Sequence, residues 1–299
     1  MTTTQMAAVV PNAPATATND AYGSEIRGVN VLLMGPSGTG KTHSIGTLVD
    51  AGYEVFYLGL ETGLESLLGY YADKGKPIPD NLQWHTLQTQ VDGFASLVAN
   101  ADKINKMSFE ALTKMSDPGK SKYNQFIKLL NALSNFKSDR NGQEYGAVDK
   151  WDTKRVLAVD GLTGLCNMAM SLTIGGKPVR NQGEWAVAQS QVEGLLRMLC
   201  DGCPCQVVVL GHVEREVDQI LGGTKLIVQS LGKALAPKIP AMFSDVILSV
   251  RSGSKWTWDT ASPMADVKTR NLAIASDLQP SFGPIMAKWK ARVVASQKP

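Results

Sequence analysis

The sequence of 299 residues contains no apolar run long enough to cross a bilayer. Residues 1–20, MTTTQMAAVVPNAPATATND, lack both a basic start and a long apolar core, so no secretory signal is expected. Charge is sparse as well. Only 19% of residues are Asp, Glu, Lys or Arg, and the net charge is +3. That balance permits a nucleic-acid partner without arguing for one, because dedicated DNA-binding domains carry a stronger basic footprint. Four cysteines are present, three of them crowded as Cys200, Cys203 and Cys205 in CDGCPC. With only Cys166 and three histidines to complete a set, the paired ligand spacing of a zinc site is missing. The thiols read instead as reduced side chains where a helix turns into a buried strand. There is no internal repeat and no heptad run.

What is present suffices for a sizeable core: 43% of the residues are apolar. The Ala-, Thr-, Pro- and Asn-rich start suggests a disordered segment over 1–24, followed by one domain over 25–299. Within that domain, NVLLM at 30–34 and YEVFYLGL at 53–60 read as buried strands. Ile45, Leu48 and Val49 mark a helix between them, stopped at Gly52, and Leu64, Leu67, Leu68 and Tyr71 mark the next. This alternation predicts an α/β fold with a mostly parallel central sheet flanked by helices. LQWHTL at 82–87 is a further short strand, and Phe94, Leu97 and Val98 suggest a helix. Asp117-Pro118-Gly119 reads as a turn, and Tyr123, Phe126, Ile127, Leu130 and Leu133 as one helical face. Residues 100–150 are expected to form a peripheral helical insertion. Later come VLAVD at 156–160, a long helix over 185–199 and QVVVLGH at 206–212. DVILSVR, KWTWDT and ADVKTR then read as consecutive strands at the C-terminal edge.

The chemistry is concentrated in Gly35-Pro36-Ser37-Gly38-Thr39-Gly40-Lys41-Thr42, a full G-x-x-x-x-G-K-[ST] match between a strand and a helix. Its glycines let backbone N–H groups converge on phosphate oxygens, and the positive end of the following helix faces the same point. Lys41 is expected to reach the β- and γ-phosphates of ATP, Thr42 to place its hydroxyl on Mg2+, and His43 to complete the nucleotide-binding run. Asp160 ends a buried strand in the manner of a Walker B carboxylate and is the second expected metal ligand, although a strand-end Asp can equally start a turn into Gly161. A base is also needed to activate water. AAA+ ATPases often carry a glutamate directly after the Walker B aspartate, but position 161 is glycine. Glu61, at the end of the strand after the phosphate loop, is the candidate instead; its alternative is to cap the helix beginning near Thr62.

Together these features resemble the RecA-like P-loop ATPases over about residues 28 to 275, and in size the small RecA-core annealing and recombination ATPases of bacteriophages. The resemblance implies that Glu61 is the catalytic glutamate and that His212, ending VVVLG, senses the γ-phosphate. It implies that residues 213–232, a long Gly-containing connection, contact DNA. It also implies that Lys268 and Arg270 in Lys268-Thr269-Arg270 reach a neighbour's γ-phosphate. On their own, a lone histidine, a surface loop and a basic edge are the competing readings. The implied protein is an ATPase acting on single-stranded DNA as a homo-oligomer, a hexameric ring or a helical filament with shared active sites. A single-strand-binding protein is a further possible partner, no membrane is involved, and the implied location is the cytoplasm of a bacterial host. Lys177, Arg180, Arg215 and Lys225 are available to a DNA path, and Trp185 and Trp256 could stack on bases, Trp185 reading better as core. A DnaB-type helicase motor and a KaiC-like nucleotide-switched regulator without DNA are the alternatives.

Overall fold

Residues 31–34, 55–58, 156–159 and 207–210 are buried, and along each run the side chains alternate between two separate cores. Val31, Val55, Val156 and Val208 face one; Leu32, Phe56, Leu157 and Val209 face the other. Strands of this kind need helices on both faces, and the sequence supplies them. The computed structural model describes residues 26–87, 93–115, 122–217 and 222–296. The expected 1–24 segment and the turn at Asp117-Pro118-Gly119 lie outside these residues.

Strand β1 (Asn30–Met34) feeds α1 (Lys41–Ser44) and α2 (Gly46–Asp50), followed by β2 (Glu54–Gly59), α3 (Leu64–Ala72) and β3 (Leu82–Thr86). Helices α4 (Phe94–Asn105), α5 (Phe109–Thr113) and α6 (Gln125–Ser134) precede β4 (Arg155–Asp160). Then come α7 (Leu162–Ile174), α8 (Gln182–Arg197) and β5 (Gln206–Gly211). Strands β6 (Val213–Val217) and β7 (Thr224–Val228) pair as an antiparallel hairpin. The chain continues through α9 (Gly232–Leu235), α10 (Ile239–Met242), β8 (Asp245–Ser252), β9 (Lys255–Asp259) and α11 (Gly283–Ser296).

The main sheet has seven strands in the order β3-β2-β4-β5-β1-β8-β9, all pairs parallel except β8 with β9. Helices α6, α7 and α8 cover one face; α1, α2, α3 and α11 cover the other. This is the expected α/β layout, with antiparallel pairing at the C-terminal edge. Its consequence for function is positional. The carboxyl ends of β1, β2, β4 and β5 lie side by side, so the loops leaving them share one rim of the sheet, where open α/β sheets bind ligands. No described helix is long and apolar enough to cross a membrane.

Three local expectations are corrected. ADVKTR does not form a strand: Ala265 and Lys268 make isolated bridges to Leu226 and Val246. From Leu248 onward the edge of β8 is already taken by β9, so only Val246 is left for Lys268 to pair with. The 213–232 connection is not a plain loop either, because the β6–β7 hairpin occupies much of it. On α6 the buried face is Phe126, Leu129 and Ala132, while Ile127 and Leu130 are exposed. One helical position is about 100° of rotation, enough to carry Ile127 off the face that Phe126 occupies.

The 100–150 region is not uniformly peripheral. Helices α4 and α5 bury no residue, with Phe94 89% exposed. By contrast Phe126, Phe136, Val148 and Trp151 belong to the core beside β2. There Phe56 meets Phe136, Tyr145 and Trp151 at ring separations of 5.2, 4.8 and 4.2 Å. Aromatic pairs at such distances contribute roughly 0.5–1.5 kcal/mol each beyond their buried area.

Candidate active site

The phosphate loop runs from the end of β1 to α1 and is shaped by its glycines. Gly38 and Gly40 have φ of +75° and +80°, the left-handed region that side chains disfavour. Gly35 is held by proximity rather than by φ, since a Cβ there would stand 2.4 Å from the Ser249 carbonyl oxygen. Ser249 on β8 also donates its hydroxyl to the Thr39 carbonyl at 2.8 Å. Strand β8, the neighbour of β1, thus braces the loop from below. The cradle fits a phosphate chain: its small residues leave the backbone bare, and α1 begins at Lys41 with its N-terminus toward the same cleft.

Lys41 is 8% exposed and donates to the carbonyls of Gly35 and Pro36, both at 2.8 Å. Burial pushes its pKa down to about 8, against the opposing pull of Asp160 and Glu61. Its ammonium is therefore desolvated, close to two carboxylates and held only by loop carbonyls. Phosphate oxygens could replace those carbonyls as stronger, charged acceptors.

Thr42 and Asp160, the two expected metal ligands, meet directly: the Thr42 hydroxyl donates to Asp160 Oδ2 at 2.6 Å. Tyr57 donates its hydroxyl to the same oxygen at 2.8 Å. Asp160 is 7% exposed, and burial raises its pKa, with the Glu61 charge adding to the effect and the two hydroxyls opposing it. A hydroxyl and a carboxylate side by side suit magnesium, which takes one or two protein oxygens and fills its shell with water and phosphate. Among the described residues no cluster of three or more His, Cys, Asp or Glu side chains could hold a metal by itself. The four cysteines are free and buried.

Glu61 follows β2 and reaches across to the first turn of α7, just after β4. Its Oε1 accepts from the Gly164 N–H at 2.9 Å, and its Oε2 lies 3.2 Å from His212 Nε2. The histidine bond is the main cause holding its pKa below the usual carboxylate range, with the Gly164 bond and Lys41 helping. Glu61 therefore stays ionised with both oxygens oriented. It does not cap α3, whose first residues receive no side-chain bond. Gly161 explains why the glutamate stands here. A Cβ at position 161 would come within 2.3 Å of the Glu61 carboxylate, so a side chain directly after Asp160 would push that carboxylate out of its present position. Gly63 is just as restricted, facing Asp160 and Tyr57 at 2.5 and 2.6 Å.

These groups line one cleft of about 400 Å3, which includes Lys41, Thr42, Glu61, Asp160 and His212 together with His43 and Trp256. Lys268 and Arg270 do not join it. Lys268 pairs with Val246 and Arg270 N–H bonds Asp245, at the level where β8 begins and β1 also begins, the opposite end of the sheet from the phosphate loop. Nor does the expected DNA path stay free of partners. Lys177 pairs with Glu184 at 2.7 Å and Lys225 with Asp266 at 2.6 Å, while Arg180 lies 5.4 Å from the Trp185 ring centre. Trp185 packs against the core as expected, and Trp256 lines the phosphate cleft.

Sequence reasoning missed Tyr57, Ser249 and the place of Trp256. Tyr57 read only as one more apolar strand residue, and no spacing signals that its hydroxyl crosses to the neighbouring strand's Asp160.

A family model described as an AAA domain matches residues 27–272. The chain belongs to this AAA domain family. It is accordingly a P-loop ATPase domain, one in which glycine follows Asp160 and the glutamate in the cleft, Glu61, lies just past the end of β2. No curated protein matches the sequence. Among solved structures, the flagellar accessory protein FlaH from Methanocaldococcus jannaschii matches with 11% identity and a TM-score of 0.33, over 78% of this chain and 76% of its own. A likeness that distant carries no argument about chemistry.

Proposed function

We propose that this domain hydrolyses ATP to ADP and phosphate with magnesium, Glu61 acting as base, and that it works as a homo-oligomer on single-stranded DNA in recombination or annealing of the phage RecA-like kind. The hydrolytic reading rests on one observation above all: an ionised carboxylate, fixed at both oxygens by Gly164 and His212, in the same cleft as the phosphate loop. Thr42 and Asp160 are the residues to hold magnesium, which when bound supplies positive charge beside the β- and γ-phosphates. Lys41 binds and orients the phosphate chain. Glu61 accepts the proton of an attacking water, and His212 keeps the carboxylate aimed.

The DNA reading draws on the link from Glu61 to the hairpin. His212 leads straight into β6, and its carbonyl accepts from Gln229 N–H at 2.8 Å at the other end of the hairpin. A change at Glu61 therefore has a short covalent and hydrogen-bonded route to β6–β7. Arg215 on β6 is exposed and forms no ion pair among the described residues. The pairing of Lys177 and Lys225 with carboxylates favours the second reading, a nucleotide-switched regulator without DNA.

ATP turnover with and without single-stranded DNA, at two salt concentrations, separates the two. Salt-sensitive stimulation supports the DNA reading; its absence supports the regulator. In either case Glu61→Gln should keep ATP binding and lose roughly 10²–10⁴-fold in turnover. Undiminished turnover in that variant overturns the base assignment. Lys268 and Arg270 are proposed to act on a neighbour's site, so Arg270→Ala subunits mixed with Glu61→Gln subunits should recover part of the activity.

A further inference from the structure

The cleft continues past the groups assigned above. Gly63 sits against Asp160 at one end and Asp73 lines the other, joined by α3 along the wall. Ten residues of largely helical chain span about 15 Å. A ligand gripped by its phosphates at Gly35–Thr42 has the rest of this cleft in which to lay the remainder of the molecule.

That remainder meets an aromatic wall. His43 stands edge-on to Tyr70 at 4.9 Å and to Trp256 at 5.2 Å. The β8–β9 hairpin holds Trp256 over the phosphate loop, where a Cβ on Gly40 would approach the indole to 2.8 Å. Trp256 and Trp258 share one face of β9, but their surroundings differ. Trp258 is fully buried and packs on Phe282, whereas Trp256 is 36% exposed and lines the polar cleft beyond the end of the core. The core makes no use of this indole, and an apolar ring left facing water in a polar cleft gains by being covered.

We propose that Trp256 is the platform on which the base of a purine nucleotide stacks, with His43 bordering it. The proposal rests on reading the cleft as a nucleotide site and adds the wall that recognises the base. Stacking uses the π-face that every base presents, so it selects for ring area rather than for a hydrogen-bonding pattern. Purines are thereby favoured over pyrimidines, and adenine is separated only weakly from guanine.

The test compares magnesium-dependent binding of ADP and of inorganic tripolyphosphate to the full chain by calorimetry, in the wild type, Trp256→Ala and Trp256→Phe. Trp256→Ala should weaken ADP binding on the order of tenfold while leaving tripolyphosphate unchanged, and Trp256→Phe should recover most of the loss. ADP, but not tripolyphosphate, should also change the indole fluorescence of the wild type, and Trp256→Phe should remove that change. Equal losses for both ligands would mean that Trp256 merely supports the loop at Gly40, and unchanged ADP affinity would remove it from the site; either result overturns the proposal. A wild type that binds neither ligand overturns the nucleotide-site reading itself. Failure of Glu61→Gln to lose turnover touches only the base assignment.

Discussion

Two buried aspartates stand at opposite ends of the sheet, and they are satisfied in different ways. Asp245, at the start of β8, is fully buried and accepts from five donors: the hydroxyls of Ser244 and Thr269, the N–H groups of Arg270 and Asn271, and the Asn271 side-chain amide. Asp160, at the end of β4, accepts from the hydroxyls of Thr42 and Tyr57, both on Oδ2, with a second carboxylate nearby. The first is a structural carboxylate whose donors fix the 269–271 turn. The second is buried with too few donors for its charge, and the shortfall is what a cation would fill. Burial alone does not separate structural from functional carboxylates; the supply of donors does.

Substitution at the two positions should therefore give opposite results. Asp245→Ala leaves several donors unpaired in the core and should cost about 3–5 kcal/mol in a denaturant melt, without removing any group from the cleft. Asp160→Asn keeps an acceptor for Thr42 and Tyr57 but removes a desolvated charge. It should raise the stability of the nucleotide-free protein by about 1 kcal/mol while abolishing magnesium-dependent turnover. A loss of stability at Asp160→Asn as large as at Asp245→Ala would erase the distinction.

A second contrast lies within residues 94–151, between the aromatic core around Phe56 and the exposed helix α4. Trp151→Ala should cost about 3–5 kcal/mol, and Phe94→Ala less than about 0.5 kcal/mol, both read from chemical denaturation.

The smallest effect is the pH dependence at the phosphate end. With Lys41 near pKa 8 in the folded chain against an ordinary lysine value of 10.5, the unfolded chain binds the extra proton between those values. Folding stability should rise with pH across that window. Phosphate binding favours the charged ammonium, so nucleotide affinity should fall over the same range, with proton uptake measurable by calorimetry in buffers of different ionisation enthalpy. Stability and affinity thus move in opposite directions above pH 8, and Lys41→Met should flatten both trends.

Much of this was legible in the sequence. The phosphate loop could be read because its chemistry is local: Gly38 and Gly40 need positive φ, and Lys41 and Thr42 follow at fixed spacing before a helix. The strands around Leu32, Phe56, Leu157 and Val209 could be read because doubly covered strands are continuously apolar. Residues 265–270 could not, because their pairing depends on whether β9 has already taken the edge of β8. The face of α6 was likewise settled only by what it packs against.

By itself, then, the sequence determined that a phosphate-binding loop joins a buried strand to a helix, and that a glutamate follows the next strand while glycine follows the strand-end Asp160. Only the tertiary structure brought these two facts together: the Glu61 carboxylate lies in the space that a side chain at position 161 would enter. It also decided that Tyr57 supports Asp160, that Trp256 belongs to the phosphate cleft, and that Lys268 and Arg270 lie at the far end of the sheet. The reason is physical. Backbone conformation and side-chain spacing are properties of neighbouring residues, whereas contact between residues 100 or more apart exists only once the sheet has set its strand order.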